Sequence, residues 1–359
     1  MEKLFNNFYK SKKVLVTGHT GFKGSWLPIW LLNLGANVIG YALDPYTSKD
    51  NFVVTDLSHK MTDIRGDIRD FEKLNSIVNE YNPEIIFHLA AQPIVRLSYD
   101  IPKETIETNV MGTTNTLETF RRAKNAKILI IITSDKSYEN KEWIWGYREN
   151  DPVGGYDPYS ASKGAAELIA SAYIRSFFNP EEFKKHGKVV ATVRAGNVIG
   201  GGDWAKDRIM TDCITALEED RPIQVRNPQS IRPWQHVLEP LNGYLLLGSK
   251  MAEDPVKYSG AWNFGPDPES IIMVKEVVEK VIKYYGKGTW KDVSNPNEVH
   301  EAKLLNLDTS KARFILGWKP KLNVDEAIKM TVEWYKKYKI DNAYRICEEQ
   351  IKVFTDIKR

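Results

Sequence analysis

The sequence KVLVTGHTGFKG occupies residues 13–24 and decides the fold class. Its first five residues form a short β-rich run that ends at a glycine, which predicts a buried strand. Apolar spacing over residues 22–34 predicts a helix, and Pro28 inside it is expected to kink the helix or remove one backbone hydrogen bond. A second strand is predicted over residues 38–43. The chain therefore opens as a strand, a glycine turn, a helix and a strand.

The same alternation continues through the first half of the chain. Helices are predicted over residues 70–81, 103–124 and 158–178, and strands over residues 84–89, 126–133 and 188–194. Strands that alternate with long helices form parallel βαβ units. The predicted fold class is therefore α/β, with a Rossmann-type doubly wound parallel sheet.

The second half has shorter apolar stretches and many prolines, with amphipathic helices predicted over residues 271–285 and 324–339. It contains no internal repeat, low-complexity tract or clean linker. We therefore expect a smaller C-terminal substrate-binding lobe that is interleaved with the sheet. The predicted sheet domain covers residues 1–193, with about 234–264 returning to it, and the lobe covers residues 194–233 and 265–359.

Composition excludes several classes of protein. The 359 residues are 42% hydrophobic and 27% charged, which is ordinary for a globular protein and argues against a disordered chain. Basic residues number 50 and acidic residues 47, so the net charge of +3 gives no support to a nucleic-acid binder. The uncharged stretch at residues 25–43 is broken by proline, asparagine and glycine, so we expect no membrane span.

Cysteine usage and the N-terminus indicate the compartment. Cys213 and Cys347 are the only cysteines, so neither a disulfide scaffold nor a zinc spacing is available, and we expect no metal. The first residues contain no apolar segment typical of a signal peptide. These features predict a protein of the reducing cytoplasm.

Three glycines in the opening turn indicate a phosphate-binding site. Gly18, Gly21 and Gly24 have the spacing GxxGxxG, directly after a strand and at the start of a helix. Glycines there let the backbone approach a pyrophosphate, and the helix N-terminus supplies amide donors. The glycines alone are a weak signal, because a strand-to-helix turn with positive φ explains one or two of them without a ligand.

Residues at three further strand ends favour NAD as the cofactor. Asp44 lies at the end of the second strand, where a carboxylate accepts hydrogen bonds from ribose hydroxyls and repels a 2′-phosphate; a solvated turn is the alternative. Asp67 follows another strand, where adenine could rest. Ala90 and Ala91 are small enough for a cofactor to lie across the strand tip.

A second set of residues indicates proton transfer. Tyr159 and Lys163 share one helix face, and an ammonium beside a phenol favours phenolate and so lowers a pKa that is ~10 in water. A tyrosinate can take a hydroxyl proton while hydride leaves the same carbon. Ser134 closes an intervening strand, and Asp135 and Lys136 follow it. A solvated turn is the alternative for this Ser-Asp-Lys sequence.

Together these residues resemble the extended short-chain dehydrogenase/reductase family, in particular its nucleotide-sugar 4,6-dehydratases. The resemblance covers nearly the whole chain. Its most specific segments are TGHTGFKGSWL, AAQPIVRLSY, TSDKSYEN, EWIWGYREN, GGYDPYSASKGAAELIA, RAGNVIGGGDWAKDR and IRPWQHVLEP.

The resemblance implies NAD as cofactor and CDP-glucose as the small-molecule substrate, which loses water to give CDP-4-keto-6-deoxy-glucose for deoxysugar and polysaccharide (O-antigen) biosynthesis. Alternatives are a dehydratase of dTDP-glucose or GDP-mannose, or a nucleotide-sugar 4-epimerase, which needs no acid for a leaving 6-hydroxyl. An alternative of another class is a catalytically silent NAD-sensing or scaffold protein. Such a protein is expected to have lost part of Ser134, Tyr159 or Lys163, and all three are present.

The resemblance also assigns roles to matching positions. Tyr159 is the oxidation base with Lys163 as its partner, Ser134 shares the proton of the sugar 4-hydroxyl, and Asp135 protonates the departing 6-hydroxyl. Substrate contacts are implied for Asn197, Arg208, Arg232, Trp234 and His236, and cofactor contacts for Gly18, Thr20, Gly21, Phe22, Gly24, Asp44, Asp67, Ile68, Ala90, Ala91, Gln92, Asn109, Tyr159 and Lys163.

Lys136 departs from the dTDP-glucose dehydratases, which have Asp-Glu where this chain has Asp135-Lys136. Two roles stay open. A lysine is the C5 base only when neutral, which requires its pKa to fall from ~10.4. A charged lysine instead stabilises the enolate-like state that forms after C5 deprotonation.

Related enzymes pair as dimers through the helices that correspond to residues 103–124 and 158–178. The resemblance therefore implies a homodimer or a dimer of dimers. Apolar faces on these helices could equally be ordinary core against the sheet.

Overall fold

The computed structural model describes residues 4–295 and 304–358. Their strands are β1 Lys13–Thr17, β2 Asn37–Ala42, β3 Thr62–Arg65, β4 Ile85–His88, β5 Ile128–Ile132, β6 Val189–Ala195, β7 Asn197–Ile199, β8 Ile223–Val225, β9 Ile231–His236, β10 Gly260–Phe264, β11 Ile271–Met273 and β12 Trp290–Asp292. A parallel sheet of seven strands has the order β10-β6-β5-β4-β1-β2-β3, and two small sheets have the orders β11-β9-β7 and β12-β8.

Helices cover both faces of the main sheet, and others pack beside it. The α-helices of the described residues are α1 Phe22–Asn33, α2 Asn51–Val54, α3 Phe71–Tyr81, α4 Val95–Asp100, α5 Pro102–Ile106, α6 Gly112–Arg122, α7 Pro158–Phe177, α8 Phe183–His186, α9 Ile209–Glu218, α10 Leu238–Glu253, α11 Pro255–Tyr258, α12 Val274–Tyr285, α13 Val324–Lys337 and α14 Ala343–Asp356. Alternate residues of β1 face opposite layers, with Val14 and Val16 packing toward α1 and α10 and Leu15 toward α3, α6 and α7. The predicted Rossmann-type α/β fold is therefore confirmed.

The strand order reverses between β1 and β4, which lie side by side in parallel register. A crevice opens outside the carboxyl ends of the strands at such a switch point, and it is where open α/β sheets bind ligands. The glycine turn after β1 and the alanines after β4 both lie at this crevice.

A second core lies beside the main sheet. Apolar side chains of α9, α12, α13 and the small strands β7, β8 and β9 pack together there, including Leu217, Val278 and Ile328. Trp334 and Tyr335 of α13 also reach the main core, so the two cores are joined by a shared helix. Residues 296–303 of the predicted lobe lie outside the described residues.

Two predicted helices differ from the structure in detail. The helix predicted over residues 103–124 is present as one continuous run over residues 102–122, in which a π-helical turn over Glu107–Met111 joins α5 to α6. Residues 271–285 begin as strand β11, which pairs antiparallel with β9, before α12 starts. In the second case the pairing with β9 overrides the helical pattern of residues 271–273. Helix α1, by contrast, runs through the buried Pro28.

The described ranges contain no helix that is both long enough and apolar enough to cross a bilayer.

Candidate active site

A cavity of about 890 Å³ opens at the carboxyl ends of the main sheet. Most of the predicted site residues line it. They are Gly18, Thr20, Gly21, Phe22, Gly24, Asp67, Ile68, Ala90, Ala91, Ser134, Asp135, Lys136, Tyr159, Lys163, Asn197, Arg208, Arg232 and Trp234. Asp44, Gln92, Asn109 and His236 lie outside its lining.

Two glycines of the opening turn are required by the fold itself. Gly18 has a φ of 73°, and a Cβ on it would lie 2.6 Å from the backbone nitrogen of Ala90. A Cβ on Gly24 would lie 1.9 Å from the carbonyl oxygen of Gly18. These glycines let α1 pack tightly against the turn.

Gly21 is different, because nothing in the protein requires a glycine there. Its φ of −74° is open to any residue, and an added Cβ would make only an ordinary 3.5 Å contact with the Gly18 carbonyl oxygen. As N-cap of α1 it gives the helix no side-chain cap, so first-turn amides point toward the cavity without one. A bare helix N-terminus beside open space fits the pyrophosphate of a dinucleotide.

An ion pair between Asp67 and Arg69 also lines this cavity. The Arg69 guanidinium donates to both carboxylate oxygens of Asp67, at 2.5 to 3.0 Å, and lowers the pKa of that carboxyl. Asp44 lies two residues beyond β2, its side chain is 87% exposed, and it pairs with Arg65 at 3.5 Å. The geometry therefore supports an adenosine site at Asp67 more directly than at Asp44.

Gln92 and Asn109 form a buried hydrogen-bond network instead of lining the cavity. Asn109 Oδ1 accepts from the Gln92 amide at 2.8 Å, and Asn109 Nδ2 donates to the Gln92 carbonyl at 3.1 Å and to Ser162 Oγ at 2.8 Å. This network ties the loop after β4 to the π-helical turn and to α7. Both residues position the loop that carries Ala90 and Ala91.

The proton-transfer residues converge where β5 ends. Ser134 Oγ donates to Asp135 Oδ1 at 3.0 Å and accepts from the Lys136 amide at 3.2 Å, and its side chain hydrogen-bonds Tyr159. Tyr159 and Lys163 lie one turn apart on α7, both buried, and Lys163 Nζ donates to the Ile132 carbonyl at 3.4 Å. One helix and one strand end thus bring all five predicted catalytic residues to the cavity.

The pKa of Tyr159 shifts in the direction opposite to the sequence-based expectation. Burial raises it to about 12, while the hydrogen bond with Ser134 and the charge of Arg208 oppose the rise. The phenol is therefore neutral at physiological pH in the ligand-free chain. Additional positive charge in the site is needed to make it an effective base.

Lysines supply charge at this point of the cavity. Burial and the neighbouring Lys23 lower the pKa of Lys163 to about 8, and burial and Arg208 do the same for Lys23. Lys23 lies in the first turn of α1 and lines the cavity. The sequence analysis missed it, although it stands inside the glycine motif.

Glu167 is a second residue that the sequence analysis missed. It lies one turn after Lys163 and is bound by Arg194 at 2.8 and 2.9 Å, by Thr133 at 2.5 Å and by Thr192 at 2.7 Å. Its buried carboxylate thus joins α7 to the ends of β5 and β6, next to Ser134. Acidic residues are rarely fully buried without a partner, and the helical spacing from Lys163 was the available signal.

Residues of the small sheet β11-β9-β7 line the other half of the cavity. Parallel pairing of β7 with β9 sets Asn197 beside Trp234, and β9 also carries Arg232. Arg208 precedes α9 and donates to Asp203 Oδ2 at 2.7 Å. Cationic side chains at these positions suit a diphosphate.

His236 does not belong with this group. It is fully buried, packs edge-on against Trp26 with ring centroids 6.1 Å apart, and burial lowers its pKa to about 3. It is a core histidine behind β9. Alternation places His236 on the same face of β9 as Trp234. Its position at the end of the strand, against Trp26 of α1, covers it and separates it from the cavity.

Both cysteines are buried and unpaired, and burial raises their thiol pKa values. Among the residues that the structure describes, no three His, Cys, Asp or Glu side chains group as metal ligands would.

Comparison with known proteins identifies the family. The family described as GDP-mannose 4,6 dehydratase matches residues 15–331. A CDP-glucose 4,6-dehydratase of Salmonella typhimurium is 51% identical over 344 residues, which cover 96% of each chain. A probable dTDP-glucose 4,6-dehydratase of Sinorhizobium fredii is 27% identical over 90% of this chain and 92% of its own.

Solved structures show the same fold. The dTDP-glucose 4,6-dehydratase of Streptomyces venezuelae, crystallised with NAD, superposes with a TM-score of 0.76 at 23% identity and covers 90% of this chain and 97% of its own. The UDP-glucose 4-epimerase of Thermotoga maritima superposes with a TM-score of 0.75 at 22% identity, covering 90% and 99%. The chain therefore belongs to the extended short-chain dehydrogenase/reductase family, and within it to the GDP-mannose 4,6 dehydratase family.

Proposed function

We propose that the chain is an NAD-dependent CDP-glucose 4,6-dehydratase, a hydro-lyase that converts CDP-glucose to CDP-4-keto-6-deoxy-glucose and water. The observation that carries this proposal is 51% identity to the Salmonella enzyme over 96% of both chains. The cavity supports it, because Ser134, Asp135, Lys136 and Tyr159 meet there at one strand end.

The residues present fit NAD. The uncapped N-terminus of α1 at Gly21 would hold the pyrophosphate, Asp67 and Ile68 the adenosine, and the small Ala90 and Ala91 would let it cross the tip of β4. When bound, NAD accepts hydride from C4 of the sugar, returns hydride to C6, and adds the positive charge of its oxidised ring to the site.

Tyr159 and Ser134 handle the proton of the 4-hydroxyl. Their side chains are hydrogen-bonded, so a substrate hydroxyl at Ser134 has a short path to the phenol oxygen. Lys163, with its pKa of about 8, is mostly charged at neutral pH and lies one turn from Tyr159, where its charge favours the phenolate that then takes the proton.

Asp135 and Lys136 serve the elimination that follows. Once C4 is a ketone, the C5 hydrogen is acidic and the 6-hydroxyl can leave as water. Asp135 is buried beside Ser134 and supplies the proton to that leaving oxygen, while the half-buried Lys136 removes the C5 proton or stabilises the resulting enolate.

A panel of nucleotide sugars tests the proposed function. CDP-glucose, dTDP-glucose, UDP-glucose and GDP-mannose are each incubated with the protein and added NAD, and the 4-keto-6-deoxy product is measured. We expect product from CDP-glucose. If only a sugar nucleotide without cytidine gives this product, the proposed substrate is wrong. If the product is a C4 epimer, the proposed reaction is wrong and the chain is an epimerase.

Gly21→Val tests the cofactor site. The fold tolerates a side chain there, so we expect an unchanged melting temperature. The side chain enters the space in front of the α1 amides, and NAD affinity is expected to fall at least about tenfold, because a lost charge-assisted hydrogen bond costs about 1.5–3 kcal/mol. Calorimetry with NAD measures it.

Gly265→Ala is the matched control, since its added Cβ meets Thr309 at an ordinary 3.4 Å outside the cavity lining. If Gly21→Val binds NAD as tightly as the wild type does, the proposed binding of the pyrophosphate at the α1 N-terminus is wrong.

We also propose the interleaved lobes with the boundaries predicted from the sequence. The supporting feature is β10, which pairs with β6 and so returns the chain to the main sheet after β9.

We further propose a homodimer or dimer of dimers formed through α5, α6 and α7. Exposed apolar side chains on the surface of these helices support it, namely Ile106, Leu168 and Phe177, and so does Met111 in the π-helical turn.

A cytoplasmic location and a role in deoxysugar or polysaccharide (O-antigen) biosynthesis complete the proposal. Free thiols at Cys213 and Cys347 suit a reducing compartment, and the product is an activated deoxysugar precursor.

A further inference from the structure

The substrate half of the cavity, which Arg208 also lines, holds a second ion pair, between Arg226 and Asp207. Arg226 Nη1 donates to Asp207 Oδ1 at 2.5 Å, and Arg226 Nη2 lies 3.7 Å from Asp212 Oδ2. All three side chains line the cavity and are between 28% and 38% exposed. Asp207 thus fixes the guanidinium, and in the described part of the chain the Asp212 carboxylate accepts no hydrogen bond.

An apolar surface lies next to this pair. Met210 and Val225 are 3% and 1% exposed and line the same end of the cavity. Met210 lies on α9 two residues before Asp212, and Val225 ends β8 directly before Arg226. A flat base can therefore rest on apolar side chains while its edge faces a carboxylate and a guanidinium.

Cytosine and uracil present opposite edges to such a pair. Cytosine offers an amino group as donor beside a ring nitrogen and a carbonyl oxygen as acceptors. Uracil and thymine offer a carbonyl oxygen where cytosine has the amino group, and N3–H where cytosine has a lone pair. A carboxylate opposite the 4-position with a guanidinium opposite N3 and O2 complements cytosine. Uracil in the same position places its O4 against the carboxylate and its N3–H against the guanidinium, and it fits only after a shift by one position.

The opposite end of the cavity supports this interpretation. Asp67 and Arg69 form the pair at the adenosine end, and adenine carries the same amino donor beside a ring-nitrogen acceptor. The cavity is thus lined by two carboxylate–guanidinium pairs, and the adenosine role of the first is part of the proposed function.

We propose that Asp212 accepts a hydrogen bond from the cytosine amino group while Arg226, held by Asp207, donates to the cytosine ring nitrogen or carbonyl oxygen. This inference rests on the proposed function, because it assumes that a cytidine nucleotide occupies the substrate half of the cavity. It makes Asp212 a specificity-determining residue.

The test compares CDP with UDP in binding to the full chain, by calorimetry at one fixed salt concentration. We expect the wild type to prefer CDP, and Asp212→Asn and Asp212→Ser to reduce the ratio of CDP to UDP affinity by about 10–100-fold, since hydrogen bonds to charged groups contribute about 1.5–3 kcal/mol. Most of the change is expected in CDP binding. Asp220→Asn is the control, because Asp220 pairs with Lys287 on the surface, outside the cavity lining.

Melting curves establish that each variant folds. An unchanged CDP-to-UDP ratio in both folded Asp212 variants would overturn the assignment. The proposed function fails separately, if the wild type does not convert CDP-glucose; a shifted ratio in that case still supports cytosine recognition by Asp212.

Discussion

Tyr159→Phe is expected to lower turnover of CDP-glucose by about 10²–10⁴-fold, the usual contribution of a positioned general base. The variant keeps the ring that fills this buried position and removes only the hydroxyl that is hydrogen-bonded to Ser134. CDP-glucose affinity is therefore expected to stay near that of the wild type. Single-turnover assays give the rate, and calorimetry gives the affinity.

Tyr81→Phe provides the control, because Tyr81 ends α3 and does not line the cavity. Normal turnover by a folded Tyr159→Phe variant would remove Tyr159 from the base role. The raised pKa of Tyr159 adds a pH dependence: its ionised form grows with pH, so the wild-type rate is expected to rise from acid toward alkaline pH, and Phe at this position abolishes that rise.

Lys136→Ala and Asp135→Asn are expected to stop the reaction at two different points after oxidation. Both variants should oxidise C4, so reduced nicotinamide should accumulate, and both should lose most of the dehydration. In heavy water, Asp135→Asn should still exchange the C5 hydrogen, because only the acid for the 6-hydroxyl is lost. Lys136→Ala should exchange it slowly or not at all.

Rapid quenching followed by mass spectrometry of the sugar measures the exchange. Unchanged dehydration by Lys136→Ala would contradict any role for Lys136 in the C5 step. Blocked exchange in Asp135→Asn with normal exchange in Lys136→Ala would reverse the two assignments.

The parts of the fold that could be predicted from the sequence are those with strong local signals. Residues 13–24 carry a buried strand, a turn with a glycine at positive φ and a helix start, and each of these is local in the chain. Helix α10 was missed because it is buried on most sides and contains Pro240, so it has no clear amphipathic period. Helix α14 was also missed, although it does carry an amphipathic pattern, in Ile346, Cys347, Ile351 and Phe354.

The candidate site was likewise predictable only where its signals are local in the chain. Helical spacing predicts that Tyr159 lies with Lys163, but it does not predict which residues of other elements contact them. Lys23 comes from α1, and Glu167 acts through strands on which Thr133 and Arg194 lie. The direction of the Tyr159 pKa shift depends on burial, which is a property of the assembled fold.

Conversion of CDP-glucose in heavy water is the most direct test of the central claim that the chain oxidises C4, eliminates water across C5 and C6, and reduces C6. The product is analysed by nuclear magnetic resonance. The account predicts a 4-keto-6-deoxy sugar that carries solvent deuterium at C5 and two original hydrogens plus the hydrogen transferred from C4 at C6. A product without solvent deuterium at C5, or a sugar changed only in its C4 configuration, would contradict it.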